Sequence, residues 1–398
     1  MKSKLLSIDN IFEEVRDRVV WIKFKHLTMS EDKPKLNQYL KRLILEHGLK
    51  EPIYIQSTLK VSDGYNRLMC LKDIITDIDD VKIPCIMKSY ATTTDIKKRQ
   101  KELYKMDIDK FRGGRAIPDL QVKSFWKNID ADELSNVITN NTNTAETFVD
   151  TFDEWIRGSK LNNIKGLLNY KTFIAGTSQA FDTFWMRHHD KRFRCFQGEF
   201  FYHKANWKKF HKWEYIDNRD IAWGDAVVIS YPFSDYCKEH SEMKNILDRC
   251  EKSKVPVLID CAYYSIARDI DFNLDRECIK VVSFSLSKAF YGTHRIRIGL
   301  RCKKDFNDDP VDVFTSMGMV SKISAGVGYD ICNNFEPDYN QNKFRDRQIE
   351  ICDDLDIQPS DCVLYGITDK NHKEFGDYDR GSRWRRVCIS SLLGDKHE

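Results

Sequence analysis

One lysine, Lys288, follows the run VVSFSLS and is succeeded by AFYGTHRIRIG, a stretch with a glycine and closely spaced arginines. A lysine amine condenses with an aldehyde, and a carboxylate buried beside it can keep a heteroaromatic nitrogen protonated, which turns the ring into an electron sink. Asp260 ends VPVLID and Tyr263 follows closely, supplying an acid and a phenol. Ser285 lies just before the lysine, and Gly176-Thr177-Ser178 opens a helix-forming stretch whose free N–H groups can take a phosphate. Either Arg297 or Arg295 adds a guanidinium, a fork of donors suited to a phosphate dianion. No metal is expected, because the cysteines are scattered singly, with no C-x-x-C pair and no Cys/His cluster at zinc spacing.

These side chains act together only if strands deliver them to one edge. KTFIA, RCFQG, DAVVISY, VPVLID, IKVVSFS and RIGLRC are short apolar strands alternating with helix signals such as TAETFVDTFDEWIRGS. That alternation predicts an α/β fold with a mostly parallel sheet covered on both faces. In such sheets ligands sit beyond the carboxyl ends of the strands, where Gly176, Asp260, Ser285 and Lys288 fall. Ahead of them, Leu5 to about Tyr90 reads as a small α/β unit, with Gly48 placed as a helix C-terminal glycine and Pro52 before a strand. The polar stretch that follows, closed by Gly113, Gly114 and Pro118, reads as a helical connector and boundary. The expected division is a small domain over residues 1–92 and a connector over 93–120.

Composition narrows the classes of function. A chain of 398 residues suits two domains or one large domain with an appendage, and 41% hydrophobic residues can fill sizeable cores. The 64 basic residues against 61 acidic leave a net charge of +3, so no global field favours nucleic acid or an anionic membrane as partner. Nowhere do about 18 uninterrupted apolar residues occur, so neither a signal peptide nor a membrane span is read, and the cytoplasm is the expected location.

An acid, a phenol, a lysine, a hydroxyl-rich helix start and an arginine match what pyridoxal 5'-phosphate demands of a protein. Asp260-Cys261-Ala262-Tyr263, Ser285-Leu286-Ser287-Lys288 and Arg297-Ile298-Gly299, in that order and preceded by Gly176-Thr177-Ser178, resemble the core of the fold-type I, class I/II pyridoxal-phosphate aminotransferases. The resemblance covers roughly Gln121 to the C-terminus and implies a fold-type I transferase large domain over 121–305, with a seven-stranded-type sheet, and a small α+β domain over 306–398. It implies a Lys288 internal aldimine, Asp260 at the pyridine nitrogen and Tyr263 at the ring oxygen. Ser285, Thr177, Ser178 and Arg297 or Arg295 would hold the phosphate. Phe201 or Tyr202 would stack on the ring, with Phe201 preferred. Arg386 or Arg385, in RWRRVCISS, would take the substrate carboxylate, with Arg386 preferred. Amino acid and keto acid substrates and a homodimer follow from the same resemblance. Two departures stand out: the segment from lysine to arginine is one residue longer than the family pattern, and Tyr231-Pro232 occupies the place of an Asn-Pro whose amide contacts the ring oxygen.

The amino-terminal unit has its own signature. Gly48-Leu49-Lys50-Glu51-Pro52-Ile53 and Asp63-Gly64-Tyr65-Asn66-Arg67 are similar to the motifs of the ParB/sulfiredoxin-like fold. The resemblance implies a nucleotide, CTP, ATP or ADP with Mg, held at Asp63, Gly64, Asn66 and Arg67. Partition proteins carry a helix-turn-helix domain after this unit, and the aminotransferase-like region takes that place here. The rival expectation is a nucleotide- or DNA-associated protein whose second domain does not transaminate or runs another pyridoxal-phosphate reaction; Tyr231 in place of asparagine favours it, and the Asp260, Tyr263, Ser285 and Lys288 set opposes it.

Overall fold

The computed structural model describes residues 5–394 apart from 30–35, 57–58, 88–100, 103, 106–107, 109–112, 140–143, 167–168, 204–211 and 307–308. Much of the expected connector, at 93–100, 103, 106–107 and 109–112, therefore lies outside the described residues. The chain forms two compact units, Met1–Asp107 and Ile108–Asp395.

The first unit runs β1 (Val20–Lys23), α1 (Gln38–His47), β2 (Ile53–Ile55), β3 (Val61–Asp63), α2 (Tyr65–Ile74) and β4 (Lys82–Met87). Its sheet has the order β1-β4-β2-β3, with β2 and β4 parallel and the outer pairings antiparallel. Helix α1 starts where the Asn37 side chain accepts the Leu40 N–H, and it ends at Gly48. Ile44, Leu49, Ile53, Ile55, Leu68, Leu71 and Ile83 form the core between helices and sheet. The sequence reads the turn between β2 and α2 but not β3, whose three residues are too few to show a period of two.

In the second unit β5 (Asn163–Lys165) precedes β6 (Tyr170–Ile174), β7 (Arg192–Cys195), β8 (Trp213–Tyr215), β9 (Asp225–Ser230) and β10 (Val257–Cys261). There follow β11 (Asp271–Asn273), β12 (Ile279–Ser285) and β13 (Gly299–Lys303). A seven-stranded sheet has the order β6-β13-β12-β10-β9-β7-β8. Every strand of it is parallel to the rest except β13, which runs against both of its neighbours. Strands β5 and β11 pair separately, and β14 (Gln358–Pro359), β15 (Tyr365–Asp369) and β16 (Trp384–Cys388) form an antiparallel sheet. The helices that matter below are α3 (Thr177–Arg187), α4 (Met243–Lys252) and the short α5 (Thr293–Ile296).

Burial explains the strands. DAVVIS of β9 and VLIDC of β10 are buried at every position, the continuous apolar run of a parallel strand covered on both faces. Helix α4 buries Met243, Ile246, Leu247 and Cys250, the spacing of one helical stripe. Charges taken inside are matched. Arg301 and Lys303 on β13 face Asp309 and Asp312, with Arg301 2.7 Å from each carboxylate, and the fully buried Arg194 lies 2.8 Å from Asp225. Removing one member of such a pair strands the other, at a cost of about 3–5 kcal/mol. The cysteines form no disulfide, and all but Cys332 are buried. Among the described residues no helix is long and apolar enough to cross a membrane.

Candidate active site

The parallel strands β9, β10 and β12 end side by side. Ser230 lies opposite Asp260 across β9 and β10, and Asp260 lies opposite Ser283 across β10 and β12. A cavity of about 260 Å³ opens beyond these ends, lined by Ser230, Asp260, Tyr263, Ser285 and Lys288 together with Thr177, Ser178 and Arg297. The sheet thus brings together eight side chains from segments that are far apart in sequence.

Lys288 follows β12 and donates from Nζ to the Gly114 carbonyl at 2.6 Å. Burial, then the nearby Arg386 guanidinium, pushes its amine down to about 8, so about a tenth is neutral and nucleophilic at pH 7, far more than for an exposed lysine. Asp260, 6% exposed, accepts the Ala262 N–H at 3.1 Å. Burial first, and then the negative charge of Glu199, pushes its carboxyl up to about 8. A carboxylate held this unfavourably is one that a cation in the cavity would stabilise, as a protonated ring nitrogen would.

The phosphate end is a cradle. Gly176, with φ at +77°, caps α3, and a Cβ there would stand 2.6 Å from Nη2 of Arg297. Arg297 lies across the turn, donating to the Ser178 hydroxyl at 2.6 Å and to the Ala175 carbonyl at 3.2 Å. The short α5 and a left-handed Arg297, at φ +58°, take up the longer segment after the lysine and return the guanidinium to the turn. Arg295 is exposed and does not line the cavity, whereas its neighbour His294 does. The α3 N-terminus, two hydroxyls and an arginine fit a phosphate.

Arg386 on β16 is buried and donates to the Tyr263 hydroxyl at 2.9 Å and to the Ser234 carbonyl, with its guanidinium 4.4 Å from the centre of the Tyr365 ring. Arg385, pointing the other way along the strand, donates to the carbonyls of His372 and Glu374. The preference for Phe201 is corrected: Phe201 is 68% exposed, while Phe200 and Tyr202 line the cavity. Successive residues of that turn face different sides, and GEFFY gives no period long enough to tell which.

Several residues at the site escaped the sequence reading. Gly114 was legible only as a chain breaker, yet its carbonyl holds Lys288. Glu199, buried, accepts the Ser230 N–H at 2.7 Å and the Ser230 hydroxyl at 2.6 Å. Arg380 donates to the carbonyls of Ser234 and Glu199 at 2.9 Å and 3.2 Å.

In the first unit Gly64, at φ +86°, caps α2, and Asp63 accepts its N–H at 2.7 Å. Arg67 pairs with Glu51 through Nη1, while its Nε and Nη2, buried beneath Gly64, make no hydrogen bond among the described residues. Asn66 is exposed on the same turn.

No protein-family model matches the sequence, and no curated protein matches it. Solved structures do match by fold. An aromatic aminotransferase from Pyrococcus horikoshii OT3 is 12% identical with a TM-score of 0.52, the match covering 74% of this chain and 94% of that one. A tetra mutant of Thermus thermophilus aspartate aminotransferase is 12% identical with a TM-score of 0.51, over 70% of this chain and 90% of the other. An aminotransferase from Staphylococcus aureus is 11% identical with a TM-score of 0.50, over 70% and 88%. At such identities the likeness is one of fold: the chain carries an aminotransferase-like α/β fold with a large sheet.

Proposed function

We propose that the protein is a pyridoxal-phosphate-dependent transferase of the aminotransferase type, acting on an amino acid or an amino-bearing metabolite with a keto acid as partner substrate. The observation that carries this reading is the shared cavity of Lys288 and Asp260, the amine pushed down and the carboxyl pushed up, with the Gly176 cradle beside them. Pyridoxal phosphate, when bound, supplies an aldehyde for an amine and an electron sink for the α-carbon. Thr177, Ser178 and Arg297 hold the phosphate; Asp260 holds the ring nitrogen; Phe200 or Tyr202 covers the ring face. Lys288 would hold the aldehyde end of the group through its neutral amine and, once released by substrate, would serve as the general base that holds or moves the substrate α-proton at Nζ. Arg386, desolvated, receives the substrate carboxylate bidentately. Tyr263 lines the cavity, and its hydroxyl accepts from Arg386.

The test is the visible spectrum of the protein purified with pyridoxal phosphate, wild type against Lys288→Ala. A band that borohydride abolishes is expected in the wild type and not in the variant; a wild type without it refutes the reading. A panel of amino donors and keto acids then separates transamination from other reactions of the same cofactor. A homodimer, which the resemblance to the fold-type I aminotransferases implies, is part of the same proposal and is tested by sedimentation. For the first unit we propose a ParB/sulfiredoxin-like, nucleotide-binding role at Asp63, Gly64, Asn66 and Arg67, supported by the unbonded guanidinium atoms of Arg67.

A further inference from the structure

Glu199 is a buried acid with no place in the roles above, and it sits behind one cavity-lining hydroxyl. Its Oε1 accepts the Ser230 N–H and its Oε2 accepts the Ser230 hydroxyl, with the Phe200 N–H at 3.3 Å also on Oε2. Ser230 Oγ in turn accepts the Ser234 N–H at 2.8 Å. A serine hydroxyl has one donor and two acceptor sites. With Glu199 ionised, the single hydroxyl hydrogen of Ser230 is committed to the carboxylate, and the cavity meets only a lone pair. With Glu199 neutral, its own O–H donates to Ser230 Oγ, both acceptor sites of the hydroxyl are filled, and its hydrogen is left for the cavity.

We propose that Glu199 and Ser230 form a protonation-gated hydrogen-bond donor in the floor of the cavity, directed at an oxygen substituent of the bound ring, in place of the amide that Tyr231-Pro232 does not supply. This rests on the proposed cofactor. Charges from neighbouring elements set the gate. Arg380 favours ionisation of Glu199, and the repulsion between Glu199 and Asp260 on β10 lets one ionise only at the other's expense. Burial, the largest influence, pushes the Glu199 carboxyl up to about 7. Two carboxylates sharing a dry floor do not both ionise readily. A cationic ring nitrogen keeps Asp260 ionised, and ionised Asp260 keeps the proton on Glu199. Filling the ring-nitrogen site therefore switches Ser230 into a donor. The proton on Glu199 comes from and returns to solvent, and no bond other than O–H is made or broken.

The test uses the full chain with pyridoxal phosphate and with its analogue lacking the ring hydroxyl. Dissociation constants are measured by equilibrium dialysis from pH 6 to 9. Ser230→Ala is expected to weaken pyridoxal phosphate about 5- to 10-fold, the worth of one hydrogen bond, and to leave the analogue within about twofold. Glu199→Gln, whose amide donates permanently to Ser230 Oγ, is expected to keep the preference for the ring hydroxyl but to lose its decline at high pH. Equal losses for both ligands, or an unchanged pH profile in Glu199→Gln, overturn the proposal. Infrared difference spectra of the protein without cofactor give a second arm. A protonated-carboxyl band of Glu199 that disappears near neutral pH is expected in the wild type beside that of Asp260; Glu199→Gln removes it and leaves the Asp260 band, and Ser230→Ala moves it to higher pH, where the carboxylate loses a donor. If no such band exists, the gate is wrong whatever the cofactor. If the band behaves as expected but pyridoxal phosphate does not bind the wild type, the assigned cofactor fails and the Glu199–Ser230 relay stands.

Discussion

Two turns in this molecule share one local plan. At Gly64 and at Gly176 a glycine with positive φ caps a helix, and a Cβ at either would stand within 2.9 Å of an arginine Nη2, that of Arg67 or of Arg297. The plan is the same because the physics is: only glycine lets the backbone and a guanidinium meet at a helix N-terminus. What differs is the partner of the arginine. Arg67 already has a carboxylate, Glu51. Arg297 donates to a hydroxyl and a carbonyl, and no carboxylate pairs with it among the described residues. One guanidinium is engaged at Nη1 by a carboxylate, with Nε and Nη2 unbonded among the described residues, and the other meets only neutral partners, so an anion at the first turn must compete with Glu51 whereas one at the second need not.

The largest expected effect breaks the second turn. Arg297→Ala removes two or more charge-assisted hydrogen bonds to a phosphate and should weaken pyridoxal phosphate about 100-fold in equilibrium dialysis. Arg295→Ala, altering an exposed neighbour, should stay within about twofold. A greater loss for Arg295→Ala would reverse the assignment of the phosphate arginine.

The glycines come next. Gly176→Ala places a Cβ against Arg297 at a φ that L-residues resist, and should cost about 1–2 kcal/mol of stability and about tenfold in pyridoxal phosphate affinity. Gly64→Ala should cost similar stability, read by denaturant melts, and leave pyridoxal phosphate binding unchanged. Equal effects of the two on the cofactor would mean that the turns do not differ as argued.

Proton chemistry beside the second turn sharpens the contrast, since the first turn has no lysine to match it among Asp63, Gly64, Asn66 and Arg67. With the Lys288 amine near 8, its neutral fraction rises about tenfold between pH 7 and pH 9, and the rate of reductive trapping of pyridoxal phosphate should rise with it. Arg386→Gln removes a repelling cation, so the amine becomes more basic and the midpoint of that profile should move to higher pH. A profile flat across this range would mean that Lys288 is not the group captured.

How much of this the sequence displays follows from where each residue sits. Asp260, Tyr263, Ser285 and Lys288 are legible because each ends or follows an apolar strand, and strand ends in an α/β sheet share one edge. Arg297 and Arg295 are not separable by sequence, because a left-handed residue after a short helix decides which one turns back. Phe201 reads like Phe200 and Tyr202 in an aromatic run whose facing is set by the turn. Glu199 is hidden altogether: only the pairing of β9 with β10 places Ser230, and the acid behind it, beside Asp260. Glu51 is visible as part of a Gly-Leu-x-x-Pro-Ile segment, but its bond to Arg67 belongs to the tertiary fold.

That bond carries the smallest and most discriminating prediction. If the first turn takes a nucleotide phosphate, the phosphate competes with Glu51 for Arg67, and Glu51→Gln should raise affinity for CTP, ATP or ADP by about threefold, the worth of one exposed ion pair. Thermal shift with millimolar nucleotide and Mg reads this directly, because a ligand that binds only the folded state stabilises it in proportion to the logarithm of one plus the ratio of its free concentration to its Kd. Arg67→Ala should abolish the shift in both backgrounds. If Glu51→Gln leaves every nucleotide without a shift, the Glu51–Arg67 pair closes the first unit as a structural link, and an arginine under a glycine cap is an anion site only when, like Arg297, it lacks a carboxylate.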